Sequence, residues 1–94
     1  PLDCIITQGA QGAEWVSPNA APIFMPAFKV APVDTTGAGD TFIGTLAAAL
    51  DLGLAPDAAM RRASGASAIQ VTRAGAAQAI PMAAEVDAFL NARS

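Results

Sequence analysis

The sequence predicts an α/β chain in which a few short strands come first and three helices follow, and three observations carry that expectation. Before Asp40 the apolar residues fall in short β-branched or alternating runs broken by Gly, Pro and Asn. From Asp40 onward they recur at helical spacing. The second half also draws its hydrophobicity largely from alanine, which favours helix and lets helices approach closely without adding bulk. Helices of that composition need a surface to press on, and the strands supply a sheet.

Cys4-Ile5-Ile6-Thr7 is an apolar, β-branched run that stops at Gln8-Gly9-Ala10-Gln11-Gly12, which predicts a buried strand followed by a turn. Ala13–Ser17, with Trp15 and Val16, and the residues 23–25 read as a strand pair around a Pro/Asn/Ala loop. Phe28-Lys29-Val30 alternates and predicts a further strand before Pro32. A first helix follows from Asp40, with Phe42, Ile43, Leu46, Ala47 and Leu50 on its apolar side and Gly53 as its stop. Pro56 and Asp57 open a second, with Ala59, Met60, Ala63, Ala66 and Ile69 facing a core, ending near Thr72. After the turn Arg73-Ala74-Gly75, Pro81 opens the last helix, with Val86, Phe89 and Leu90 inward and Glu85, Asp87 and Arg93 toward water. No internal repeat is present.

The 94 residues allow one compact domain and exclude a second independent core. A composition of 53% apolar and 14% charged residues argues for a packed chain and against disorder. Five basic against eight acidic residues, net −3, with no basic cluster beyond Arg61 and Arg62, give no footprint for nucleic acid. That arginine pair reads as a solvated helix face. The longest apolar run, residues 46–50, is far short of a bilayer span, and the first residues lack the pattern of a signal peptide, so the expected location is cytoplasmic. The single Cys4 cannot form an internal disulfide, and the absence of histidine excludes a Cys/His zinc site and a Ser-His-Asp triad. Any metal must therefore be held by oxygen. The chain also starts inside a strand run, which suggests part of a longer parent protein.

Chemistry concentrates in Asp34-Thr35-Thr36-Gly37-Ala38-Gly39-Asp40-Thr41-Phe42, where small residues stand just ahead of a helix start. Amides at a helix N-terminus lack internal acceptors and share the positive end of the dipole, and a Gly/Ala loop lets a phosphate reach them. Asp40 places a carboxylate beside that pocket, where an attacking hydroxyl must lose its proton. Taken alone, Asp40 also fits a helix N-cap, Asp34 a turn cap, Gly9, Gly12 and Gly75 turn residues, and Ser64 a packing residue. Two other glycine motifs fail on spacing. A Walker A loop needs a lysine that is not there, and the dinucleotide fingerprint needs glycine where Phe42 stands.

Three ordered motifs span essentially the whole chain: I-I-T-x-G-x-x-G at 5–12, D-T-T-G-A-G-D-T-F at 34–42 and V-T-R-x-G-A at 71–76. Together they resemble the ribokinase (pfkB) family of carbohydrate kinases, and the last is closer to the ribokinase branch than to the adenosine or fructose kinase branches. The resemblance implies the C-terminal, nucleotide-binding half of a ribokinase-like α/β sandwich, with residues 1–94 as that part of a longer kinase domain. It implies ATP-dependent phosphorylation of a sugar hydroxyl, most readily ribose. Gly37, Ala38 and Gly39 would line the anion hole and Asp40 would take the sugar proton. Thr7, Gln8, Gly9, Ala10, Gln11 and Gly12 would border the ATP phosphates and ribose, together with Gly39, and Ser64 would lie near the adenine. Asp34 by its carboxylate, and Thr36, Gln70, Arg73 and Gly75 by their carbonyls, would surround a potassium ion. Ala79 stands where ribokinases often supply a hydroxyl to that ion, a departure that puts the potassium site in doubt. Mg²⁺ would arrive with ATP. The resemblance places the sugar-gripping residues and the strands of a homodimer lid upstream, so that the 94 residues alone would be inactive. A non-catalytic nucleotide- or phosphate-binding module is the competing expectation.

Overall fold

The computed structural model describes residues 4–7, 11–18, 20–31, 33, 35, 37–73 and 83–93. Its elements run β1 (Cys4–Thr7), β2 (Ala13–Ser17), β3 (Ala20–Met25), α1 (Ala38–Asp51), α2 (Pro56–Val71) and α3 (Ala83–Asn91). The strands form one antiparallel sheet in the order β1-β2-β3, with Ile5 opposite Trp15 and Trp15 opposite Ile23. Because side chains alternate along a strand, this register gathers Ile5, Trp15, Ile23 and Met25 against the main core. The opposite face carries the row Ile6, Glu14 and Phe24, of which the two apolar members are about half exposed.

Phe42, Leu46 and Ala49, spaced over two turns of α1, meet Ala59, Met60 and Ala63 of α2 in that core. The alanines bring the helix axes close, and Met60 fills the remaining space with no exposure at all. α1 ends in a Schellman arrangement: Leu54 N–H donates to Ala49 O at 3.1 Å and Gly53 N–H to Leu50 O at 3.0 Å. Gly53 takes φ +91 there, a value that glycine adopts without strain. Pro56 occupies the first turn of α2, where its missing N–H costs nothing. A second cluster of Ala66, Ile69 and Val86, flanked by Phe89 and Leu90, docks α3 on α2.

Several expectations differ from the structure. Phe28-Lys29-Val30 is not a strand; its backbone joins no sheet among the described residues. Tertiary contacts govern it instead, since the Phe28 ring packs edge-on to Phe89 at 5.2 Å and beneath the Arg61 guanidinium at 5.2 Å. β1 is largely exposed rather than buried, because it lies at the edge of the sheet and only Ile5 reaches the core. The first helix begins at Ala38, two residues before the change of period, since Gly37 can adopt the left-handed conformation that starts it. Arg61 and Arg62 are not a solvated face: both reach across to α3. Arg62 pairs with Asp87 and donates to Ala83 O at 3.1 Å, while Arg61 donates to Leu90 O at 3.4 Å. Pro81, the expected opening of the last helix, lies outside the described residues.

Candidate functional site: a cleft at the start of the first helix

The N-terminus of α1 and the middle of α2 face one another across a cleft of about 610 Å³. Residues 27–30 after β3, together with Thr35, close a third side, and Thr7 and Gly12 border it from the sheet. Two ties hold these walls in place. Val33 N–H donates to Val71 O at 2.6 Å, anchoring the strand-to-helix connection to the end of α2. Ser67 Oγ donates to Ala38 O at 3.3 Å, joining α2 to the first turn of α1.

Gly37 is the N-cap of α1, with φ 80 and ψ −1. Ala38 N–H donates to Thr35 O at 3.2 Å and Thr41 N–H to Gly37 O at 2.9 Å. The amides of Gly39 and Asp40 find no acceptor among the described residues. Ala38 and Gly39 both line the cleft, and a Cβ built on Gly39 would meet nothing within 4 Å. The fold therefore leaves open space in front of Gly39, as close approach of a ligand to that amide requires.

Asp40 is exposed, in the first turn, where the helix dipole favours a negative charge. It is not the N-cap, since Gly37 holds that position, and its carboxylate has no partner among the described residues. It does not line the cleft, although its neighbour Gly39 does. Next to it, Thr41 is buried and its hydroxyl donates to Oε1 of Gln70, also buried, at 3.2 Å. This bond ties the first turn of α1 to the last turn of α2, across 29 residues of sequence. Thr41→Val is expected to cost about 1–2 kcal/mol of unfolding free energy, and Thr41→Ser less, as read from urea midpoints; equal midpoints for wild type and Thr41→Val would show that the bond contributes nothing.

The other expected site residues divide into three groups. Thr7, Gly12 and Ser64 line the cleft with Gly39. Ser64 is buried and its hydroxyl donates to Pro26 O at 3.4 Å, so it serves packing and lines the cleft at once. Gln11 is described but lies outside the lining. Gln70 and Arg73 sit at the C-terminal end of α2, where Arg73 N–H donates to Gln70 O at 3.1 Å and the Arg73 side chain pairs with Glu85. Gln8, Gly9, Ala10, Asp34, Thr36, Gly75 and Ala79 lie outside the described residues. Among the described residues no group of three or more His, Cys, Asp or Glu side chains is assembled that could hold a metal ion.

The sequence reading missed Ser67, Ala68 and Val71, which share the cleft-facing side of α2 with Ser64. Their spacing of three, four and seven residues from Ser64 places them on one face of the helix. The alternation of Phe28, Lys29 and Val30 predicts a strand and gives no sign of the cleft wall these residues form.

The model of the pfkB family carbohydrate kinases matches residues 3–83 of the sequence. This chain belongs to that family. Among its relatives, a ribokinase of Schizosaccharomyces pombe is 45% identical over 87 residues, covering 93% of this chain and 27% of the relative. A bifunctional protein HldE of Bradyrhizobium sp. is 42% identical over 78 residues, covering 80% of this chain and 16% of that protein. Among solved structures, a ribokinase from Thermotoga maritima superposes with a TM-score of 0.89 at 44% identity, over 95% of this chain and 30% of that one. Arabidopsis thaliana ribokinase complexed with ribose and ATP superposes with a TM-score of 0.91 at 30% identity, over 94% and 28%. The fold is thus that of a segment of a ribokinase-like α/β kinase, and the chain spans less than a third of the length of these relatives. No helix among the described residues is long and apolar enough to cross a membrane.

Proposed function

We propose that this chain forms the nucleotide-binding side of an ATP-dependent sugar kinase, with ribose as the sugar and its primary hydroxyl as the acceptor. The observation that carries the reading is the opening of one cleft onto the first turn of α1, where Gly39 leaves room for a phosphate. Two amides without an acceptor among the described residues, at the positive end of a helix dipole, suit the transferring phosphoryl group, whose equatorial oxygens spread negative charge. Ala38, whose amide is shared with Thr35 O, contributes its place in the wall more than a free donor. Asp40, exposed next to the cleft residue Gly39 and without a partner among the described residues, would accept the proton of an incoming hydroxyl. Likeness to ribokinases supports ribose; likeness to HldE makes a different sugar the alternative to be tested.

ATP would lie with its base toward Ser64, Ala68 and Val71 and its phosphates toward Gly39. Mg²⁺ would come with the nucleotide, held mainly by phosphate oxygens and water. For a monovalent cation the donor chemistry fits in part: Gln70 and Arg73 offer carbonyls at the negative end of α2, whose last turn carries no basic residue. A cation there would sit near the Thr41–Gln70 tie and would favour the ordered start of α1.

The test has two arms. The 94-residue chain should bind ATP measurably by calorimetry and transfer no phosphate to ribose. The S. pombe ribokinase with this chain in place of its matching segment should phosphorylate ribose in preference to other pentoses and hexoses. Turnover by the 94 residues alone would overturn the division of labour, and a preference for a different sugar would overturn the substrate.

A further inference from the structure

We propose that Lys29 is the residue by which the cleft distinguishes a nucleoside polyphosphate from a nucleoside, through its ammonium group and the phosphate chain. The inference rests on the nucleotide reading of the cleft given above. It follows from a charge inventory of the described residues. The chain carries a net charge of −3, yet among the described residues no Asp or Glu lines the cleft, and Lys29 is the one charged residue in its wall. Around an acidic molecule, such a lining makes the cleft a local attractor for anions.

The basic residues elsewhere are occupied. Arg62 pairs with Asp87 and Arg73 with Glu85. Arg61 lies over the Phe28 ring and donates to Leu90 O, and Arg93 lies over the Phe89 ring at 3.6 Å. Lys29, the one lysine of the chain, is exposed and has no partner among the described residues. Its backbone position is well fixed. The neighbouring Phe28 is held between Phe89 and Arg61, and Val33 is tied to Val71 O. A long flexible amine on an anchored segment acts as a mobile point charge, suited to phosphate oxygens whose position changes between ATP and ADP. The amide of Gly39, which has no acceptor among the described residues, stands at a fixed point of the same cleft, so the two features would grip an extended polyanion at two places.

Nothing in the packing requires lysine at 29, so its replacement separates binding from folding. Calorimetry with the 94-residue chain should show Lys29→Met weakening ATP binding about tenfold. Adenosine binding should change by less than about twofold, and the dependence of ATP affinity on salt should become shallower. Lys29→Arg should retain most of the ATP affinity, and circular dichroism should be unchanged in both variants. Equal ATP affinity for wild type and Lys29→Met would overturn the assignment, as would parallel losses for ATP and adenosine, which would mark a structural role. A wild-type chain that binds inorganic tripolyphosphate as tightly as ATP would support the phosphate contact while overturning the placement of the base. If wild type binds neither ATP nor adenosine, the nucleotide reading itself fails and takes this inference with it.

Discussion

Asp40→Asn, introduced into a full-length ribokinase whose matching segment has been exchanged for this chain, is expected to lower kcat about a thousandfold. The KM for ATP should change by less than about twofold. Asparagine keeps the size and shape of the side chain in the first turn of α1 and removes its negative charge and with it its ability to take a proton, at a cost of no more than about 1 kcal/mol in helix-dipole stabilisation. Since Gly37 and not Asp40 is the N-cap, and the carboxylate has no partner among the described residues, the substitution breaks no observed bond. The fold should be indifferent to it. An unchanged kcat would remove the assignment of Asp40 as base. A raised KM for ATP with little loss of kcat would place the carboxylate on the nucleotide and not on the acceptor.

Gly12→Ala should be the most damaging small substitution in the sheet region. Gly12 is buried with φ +122, and a Cβ there would stand 2.2 Å from Met25 O and 2.9 Å from the Pro26 Cα. Both neighbours are backbone, so no side chain can rotate away, and the end of β3 or the start of β2 must move. A backbone held at such a φ by a residue other than glycine costs on the order of 1–3 kcal/mol. With the displaced contact added, we expect a loss of at least about 3 kcal/mol, a large share of the 5–15 kcal/mol typical of a whole domain. The same movement shifts residues 26–28, of which Ala27 and Phe28 line the cleft with Ser64. ATP binding should therefore fall along with the urea midpoint. A variant that unfolds within about 1 kcal/mol of wild type would show that the turn before β2 is not held as described.

The parts of the fold written in local chemistry were legible in the sequence. Pro56 and Gly53 punctuate the helices as proline and glycine normally do, and of the apolar residues expected on the inward side of α1, Phe42, Leu46 and Leu50 reach the core while Ile43 and Ala47 are exposed and Ala49 is buried instead. The Gly37 to Asp40 stretch marked a helix start, and the phosphate cradle proposed there follows from the free amides that helix starts offer. What was not legible depends on partners far along the chain. Phe28, Lys29 and Val30 alternate as a strand would, but Phe89 and Arg61 decide their conformation. The pairing of Arg62 with Asp87 and of Thr41 with Gln70 joins residues 25 and 29 apart, and no local pattern announces either. Ser64 was weighed as either packing or ligand-lining, and its position serves both.

These features give the cleft a rigid floor and a responsive rim. The floor is α2, packed through Met60 and Ala63 on one side and Ala66 and Ile69 on another. The rim is the first turn of α1, held by Thr41 to Gln70 and by Ala38 O to Ser67. Positioning of this kind suits phosphoryl transfer, in which the protein's main tasks are alignment and charge stabilisation.

Backbone amide shifts of the ¹⁵N-labelled chain during titration with ATP and Mg²⁺ test the phosphate cradle most directly. The N–H signals of Gly39 and Asp40 should move furthest, in step with the cleft residues Ser64 and Val71, and with the same half-saturation. Shifts confined to the open face of the sheet, with Gly39 and Asp40 unmoved at saturating nucleotide, would contradict the assignment of that helix start as the phosphate site.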